Sequence, residues 1–135
     1  MIKRFGLGKQ ERLKSRKKID ALFLEGQRFT QSPLRITYQF FPASSEPGVQ
    51  AGFTATKKNF GKAVDRNRLK RLMREAYRLQ KAGLTELVHQ KKLNALVFFM
   101  YTDKTIASFS VMKDAMARAI SKLEKIALQA HENPA

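Results

Sequence analysis

Two stretches of the chain alternate between apolar and other side chains, which is the pattern of a half-buried β-strand. Their apolar positions are Leu34, Ile36, Tyr38 and Phe40 in the first stretch and Val49, Ala51, Phe53 and Ala55 in the second. Residues 42–48 lie between them and carry the strongest turn signal in the chain. We therefore predict that the two strands form a hairpin, preceded by a shorter strand over residues 28–31.

Three further stretches carry apolar residues at helical spacing. The first follows Ser15, a good N-cap residue, and ends at Gly26. The second starts near Lys62, and Gly83 is expected to break the chain after it. The third runs over about residues 110–129. Its apolar residues are Val111, Met112, Ala115, Met116, Ala119, Ile120, Leu123 and Ile126.

Residues 94–101 are apolar on both faces, which predicts an interior strand covered on both sides. The order of the elements predicts an α+β fold, a small sandwich with one crossover. At 135 residues the chain is expected to form a single domain, 1–135. Within it we expect residues 1–14 to be a mobile basic arm and residues 130–135 a flexible tail.

The charge balance adds a partner to this picture. The chain has 27 Lys and Arg against 11 Asp and Glu, a net charge of +16. Such an excess predicts a polyanionic partner, with nucleic acid the first candidate and an anionic membrane surface the second. The lack of cysteine excludes disulfides and thiolate metal sites. Without a signal peptide or a membrane-spanning run, we expect a monomeric, cytoplasmic protein that does not enter a membrane.

The second helix concentrates this charge on one side. On a helical wheel Leu72, Met73, Ala76 and Leu79 lie within about 80° of Leu69 and form the face that packs on the sheet. Asn67, Arg71, Arg74 and Arg78 lie on the opposite side, between about 140° and 200° from Leu69. Arg68, Lys70 and Lys81 flank that side. We interpret it as a rigid cationic ridge.

A solvated helix face is the ordinary alternative for a run of charges. Such faces mix both signs, but eight Lys and Arg between Lys62 and Lys81 meet only Asp65 and Glu75. Arginine favours phosphate, which it binds with two parallel hydrogen bonds. Membrane binding is disfavoured because the apolar stripe is needed by the sheet. DNA remains possible on charge alone, although no helix-turn-helix pair, zinc ligand set or basic zipper is present.

A second candidate site lies on the outward face of the two alternating strands, where Arg35, Thr37, Thr54 and Thr56 are expected. The first helix places Ile19 and Phe23 one turn apart beside them. Small polar groups near an aromatic ring suit single-stranded nucleic acid. The alternative, that Ile19 and Phe23 belong to the core, stays open.

No catalytic motif is present in the sequence. His89 falls in a predicted connection and His131 in the tail, and neither has a carboxylate or nucleophile pattern beside it. A metal nuclease using Asp65, Glu75 or Asp103 is a rival reading, weakened by their scatter along the chain. If the protein takes part in catalysis, we expect the reactive groups to belong to a partner.

One stretch resembles the signature of the bacterial ribonuclease P protein subunit. The matching residues are Lys57, Lys58, Gly61, Ala63, Val64, Arg66, Asn67, Arg68, Lys70, Arg71, Arg74 and Glu75. The resemblance extends over about residues 10–127 in length, charge and element order. It implies a two-layer α/β sandwich with a small mixed sheet and a left-handed βαβ crossover, like domain 2 of ribosomal protein S5. That handedness departs from the usual right-handed rule.

The resemblance also implies a function. The family is the protein subunit of an endonuclease that removes 5′ leaders from precursor tRNA, in which the RNA subunit is catalytic and uses Mg²⁺. It assigns to the RNA subunit the residues Arg66, Asn67, Arg68, Lys70, Arg71, Arg74 and Arg78. It assigns to a cleft for the single-stranded leader the residues Ile19, Phe23, Thr37 and Thr54. We add to this cleft Arg35, which the strand pattern places on the same face, and Lys57 and Lys58 at the exit of the second strand, from which either RNA is within reach. A non-catalytic RNA-binding protein of the ribosomal type is the alternative function.

Overall fold

A four-stranded mixed sheet forms the centre of the computed structural model, which describes residues 8–43 and 46–132. Helices lie on both of its faces. In chain order the elements are α1 (Arg16–Glu25), β1 (Gln27–Gln31), β2 (Leu34–Pro42), β3 (Gly48–Ala55), α2 (Ala63–Gln80), α3 (Ala82–Gln90), β4 (Leu93–Tyr101) and α4 (Phe109–Glu132). The predicted α+β class and the short strand before β2 are confirmed.

The strand order is β1-β2-β4-β3, so the predicted hairpin between β2 and β3 is wrong. β4 lies between them, antiparallel to β2 and parallel to β3. β4 is apolar on both faces, which suits the centre of the sheet, where helices cover the strand from both sides. β2 forms its hairpin with β1 instead.

One sheet face, covered by α2, α3 and α4, holds the main core. A row across the sheet pairs Ile36 with Phe99 and Phe99 with Phe53. The Phe53 and Phe99 rings stack with centroids 5.5 Å apart, and Tyr77 of α2 packs on Phe99 at 5.6 Å. The apolar faces predicted for the alternating strands are therefore correct, although their pairing was not.

The helices also depart from the sequence pattern in one place. The Ser15 cap is confirmed, because its Oγ accepts a hydrogen bond from the Lys18 N–H at 3.3 Å, and Gly26 ends α1. Gly83 does not break the chain, because Lys81 keeps a right-handed helical conformation and α3 starts directly after it. α3 buries Leu84 and Val88, four residues apart, and places His89 in its last turn.

The segment before α1 lies against the edge of β3. The Leu13 N–H donates to the Ala51 carbonyl at 2.9 Å, and the Leu13 side chain is only 5% exposed. Residues 8–14 thus differ from the mobile arm that the sequence predicts, while residues 1–7 lie outside the described residues. At the other end α4 continues through Glu132, so the predicted tail is helical at residues 130–132, and residues 133–135 are not described.

Candidate nucleic-acid interface

The α2 helix has two chemically opposite sides. Its inner side buries Leu69, Met73, Ala76 and Tyr77 against the sheet and α4. Its outer side carries the predicted cationic residues. Asn67, Arg68 and Arg71 are exposed, whereas Lys70, Arg74 and Arg78 are half-buried. The ridge is therefore a face of a helix whose other side is anchored in the core, although two members of the predicted packing face depart from it: Leu72 is half-buried and Leu79 is 38% exposed.

The charge on this ridge is mostly uncompensated. In the part of the chain that the structure describes, no carboxylate lies within ion-pair distance of Arg68, Arg71 or Arg74. Arg78 differs, since its Nη2 lies 2.5 Å from Glu75 Oε1 and its Nε 3.1 Å from Oε2. The Arg78 hydrogen bonds hold the pKa of the Glu75 carboxyl below its usual range. Arg78 thus compensates the charge of Glu75, so Glu75 does not offset the positive charge of the other arginines.

Arg66 has an internal role that the sequence did not reveal. Its Nη1 donates to the carbonyl oxygens of Phe60 and Gly61, at 2.8 and 2.9 Å. These bonds close the turn before α2. The N-cap residue of α2, Lys62, provides no side-chain cap. Arg66 therefore orients the start of the ridge, and its guanidinium is partly committed to the protein backbone.

Lys81 was predicted to flank the ridge, but its side chain is buried, with the residue 4% exposed. It forms an ion pair with Glu11, which comes from the segment before α1. Tyr77 lies beside this pair, and burial, followed by the Glu11 charge, raises the pKa of the Tyr77 phenol. The physical reason for the correction is that the N-terminal segment covers this end of α2.

An open groove of about 580 Å³ runs over the outer side of α2. Helix α2 supplies Arg68, Arg71, Leu72, Arg74, Glu75 and Arg78 to its lining. Two more lining residues, Arg12 and Phe109, come from the N-terminal segment and from the start of α4. Sequence reasoning missed both, because no local pattern signals that residues so distant along the chain meet at α2.

The loop after β3 connects this ridge to the other sheet face. Lys57 and Lys58 are exposed at its tip. Asn59 fixes the loop, because its Nδ2 donates to the Thr102 carbonyl at 3.2 Å and its N–H donates to Thr56 Oγ1 at 3.4 Å. The two lysines therefore project from a braced loop at the edge where β3 and β4 end.

On the second face of the sheet, α1 is the one helix among the described residues that packs against the strands. Phe98 of β4 lies at the centre of this face, between Thr37 and Gly52. The Phe23 ring packs edge-on against Phe98 with centroids 5.3 Å apart, and Phe23 remains half-buried. Ile19, one turn earlier, is half-buried as well. Phe23 thus packs between α1 and the sheet, and the residue remains partly accessible.

The predicted cleft residues on the strands separate into two groups. Arg35 and Thr54 flank Met100 in one row, where Arg35 is exposed and Thr54 half-buried. Thr37 faces the same side, as predicted, but it is only 2% exposed, so the accessibility predicted for it is wrong. The reason is its place in the row of Phe98, over which α1 packs. The accessible part of this face lies toward Arg35, Thr54 and the Lys57–Lys58 loop.

A protein-borne metal centre finds no support in the described residues. Among residues 8–43 and 46–132, no three His, Cys, Asp or Glu side chains come together as metal ligands. Of the acids considered for a metal nuclease, Glu75 faces Arg78, and Asp103 accepts the Lys104 N–H at 2.8 Å. In the same part of the chain, no helix combines the length and apolar character required to cross a membrane.

Comparison with known proteins supplies the family context. A family model described as Ribonuclease P matches residues 7–124. The ribonuclease P protein component of Porphyromonas gingivalis is 35% identical over 119 residues, covering 88% of this chain and 87% of that protein. The RNase P proteins of Staphylococcus aureus and Thermotoga maritima have similar structures.

The Staphylococcus aureus and Thermotoga maritima structures match this chain with TM-scores of 0.65 and 0.64, respectively. The matches cover 86% and 83% of this chain and 96% of each of those chains. At 15% and 20% identity, these two structural likenesses concern the fold alone.

Proposed function

This chain belongs to the ribonuclease P protein family and is a protein component of that tRNA-processing enzyme; we propose that it binds the enzyme's RNA subunit through α2. The observation that carries this proposal is the uncompensated ridge formed by Arg68, Arg71 and Arg74. Guanidinium groups on an anchored helix meet phosphates without first ordering a flexible segment, which lowers the entropic cost of binding.

The face under α1 is the proposed binding surface for the single-stranded 5′ leader of precursor tRNA. Phe23 offers an aromatic ring for a base, and Arg35 with Lys57 and Lys58 offers positive charge toward the leader backbone. Thr37 is not part of this proposal because α1 covers it. The two RNAs then contact different sides of one small sheet.

The chemistry is proposed to belong to the RNA subunit, with Mg²⁺ held there. Among residues 8–43 and 46–132, no three metal-ligating side chains come together. The protein contributes binding and orientation, and we propose that it acts as a cytoplasmic monomer within the complex.

Reconstitution tests the function as a whole. The purified protein is mixed with ribonuclease P RNA at low Mg²⁺, and removal of the 5′ leader from precursor tRNA is followed. We expect the protein to restore cleavage that the RNA alone performs poorly under these conditions. No stimulation would reject the proposal. Co-purification with ribosomal particles instead of one structured RNA would favour the alternative, a ribosomal-type RNA-binding protein.

A salt titration tests the assignment to α2. Replacing Arg71 and Arg74 together by alanine is expected to lower affinity for the RNA subunit. Each lost phosphate contact makes the slope of log affinity against log salt shallower by about 0.7–0.9. The matched control replaces Arg118 and Lys125, exposed cations of α4, and changes the net charge equally. Equal slopes for both double variants would place the RNA contact elsewhere.

A further inference from the structure

The groove over α2 contains apolar surface that binding of phosphate alone does not require. Leu72 and Phe109 line it among the arginines. Both are half-buried and pack against the main core, so their inner parts belong to the protein and their outer parts border the groove. An aromatic ring next to guanidinium groups is the combination that binds a nucleobase together with its phosphate.

We propose that this groove holds one unpaired nucleotide of the RNA partner, an inference that rests on the proposed function. The base lies against Phe109 and Leu72, and the phosphate is bound by Arg12, Arg68 and Arg71. The groove's volume of about 580 Å³ falls within the range of about 300–1,000 Å³ that is typical of ligand pockets. The nucleotide must be unpaired, because a base inside a duplex already has both faces covered by stacking.

The two lining residues outside α2, Arg12 and Phe109, lie on backbone that the fold holds in place. Phe109 begins α4, where the Ser108 side chain accepts a hydrogen bond from the Val111 N–H at 3.3 Å. Arg12 lies between Glu11, which is paired with buried Lys81, and Leu13, which is bonded to β3. The backbone that carries both residues is thus in place before RNA arrives, so binding does not have to order it.

Glu75 is the one acid among the described residues that line the groove, and it does not oppose an anion strongly. Glu75 is engaged by two nitrogens of Arg78, at 2.5 and 3.1 Å. In the described chain, no carboxylate lies within ion-pair distance of Arg12, Arg68 or Arg71. The local field therefore favours a phosphate beside the apolar wall.

Titration with two small probes tests the site directly. Adenosine 5′-monophosphate and inorganic phosphate are added separately to the full-length protein, and the ring protons of Phe109 are followed by NMR. One stacked base is worth roughly a 5- to 150-fold gain in affinity, so the nucleotide is expected to bind more tightly than phosphate by that factor. Equal affinities, or a nucleotide response that bypasses Phe109, would overturn the proposal.

Three variants assign the preference to the groove. Phe109→Leu is expected to abolish the preference for the nucleotide, whereas Phe109→Tyr, which retains a ring, preserves it. Phe29→Leu removes another half-buried ring, one beneath Lys122, and is expected to leave the preference unchanged. Thermal midpoints are measured for all three. Loss of the preference in the Phe29 variant, or its survival in Phe109→Leu, would contradict the assignment.

Failure of this inference is distinguishable from failure of the proposed function. If ribonuclease P RNA binds with its full salt dependence while the nucleotide preference is absent, the groove proposal alone fails. If the preference is present but the RNA does not bind or is not stimulated, the groove stands and the proposed function fails.

Discussion

The two faces of the sheet are covered to very different degrees. The α2 face carries three helices, and α2 alone buries four residues, from Leu69 to Tyr77. The α1 face carries one helix of ten residues, in which only Leu22 is fully buried. The first face therefore holds the fold together, and the cationic ridge lies on the far side of α2. The second face leaves part of the sheet itself available to a ligand.

This contrast predicts which substitutions affect stability and which affect binding. The largest effect is expected for Met73→Ala on the heavily covered face. Met73 is fully buried, so its truncation is expected to lower the free energy of unfolding by about 2–5 kcal/mol, measured by urea denaturation. The control is Leu79→Ala on the same helix, where the side chain is partly exposed and the loss is smaller. Equal losses would contradict the division of α2 into two sides.

On the lightly covered face, Phe23→Ala is expected to act mainly on binding. Loss of one stacked base weakens the affinity of the assembled enzyme for precursor tRNA by about 1–3 kcal/mol. Mature tRNA has no leader, so its affinity is expected to stay constant. Leu24→Ala is the matched control, because this neighbouring side chain is 86% exposed. Equal losses of affinity for precursor and mature tRNA, together with a lowered thermal midpoint, would show that Phe23 acts as a core residue.

A weaker effect is expected from Ser15→Ala, which removes the cap of α1. The lost hydrogen bond to the Lys18 N–H costs about 1 kcal/mol of helix stability. Because α1 borders the proposed leader surface and not the α2 ridge, affinity for precursor tRNA is expected to fall slightly while affinity for the RNA subunit does not change. Parallel binding assays with both RNAs measure this difference. A loss confined to the RNA subunit would break the assignment of the two surfaces.

The smallest expected effect concerns Thr37→Val, which leaves the side-chain shape nearly unchanged. Thr37 is buried under α1, so leader affinity is expected to remain the same. The companion variant Thr54→Val alters a half-buried residue of the accessible row and is expected to weaken leader binding. A leader defect in Thr37→Val would show that α1 moves away from the sheet.

The sequence predicts faces better than it predicts neighbours. The alternation in β2 and β3 correctly identifies the buried side chains, because period two follows from strand geometry alone. It contains no information about which strand lies alongside, and β4 separates β2 from β3. α3 is missed for a related reason, since Leu84 and Val88 make only one helical repeat and Gly83 dominates the local pattern.

The candidate site divides in the same way. The ridge on α2 is predictable, because all of its residues belong to one helix whose apolar stripe defines the opposite side. Arg12 and Phe109 are not predictable, because tertiary packing alone brings them to that helix. Thr37 and Lys81 are misjudged for the same cause, since α1 and Glu11 cover positions that a local pattern leaves open.

The central position of β4 delays completion of the sheet during translation. β4 is the last strand to be synthesised, yet it supplies the pairing partner of both β2 and β3. Until residues 93–101 leave the exit tunnel, only the local β1-β2 hairpin has its partner strand, and β3 has none. Most of the sheet therefore closes late and over long sequence separations, which makes folding slow compared with a helical bundle. A nascent chain arrested at residue 92 is expected to be digested readily by protease, whereas one released after α4 resists.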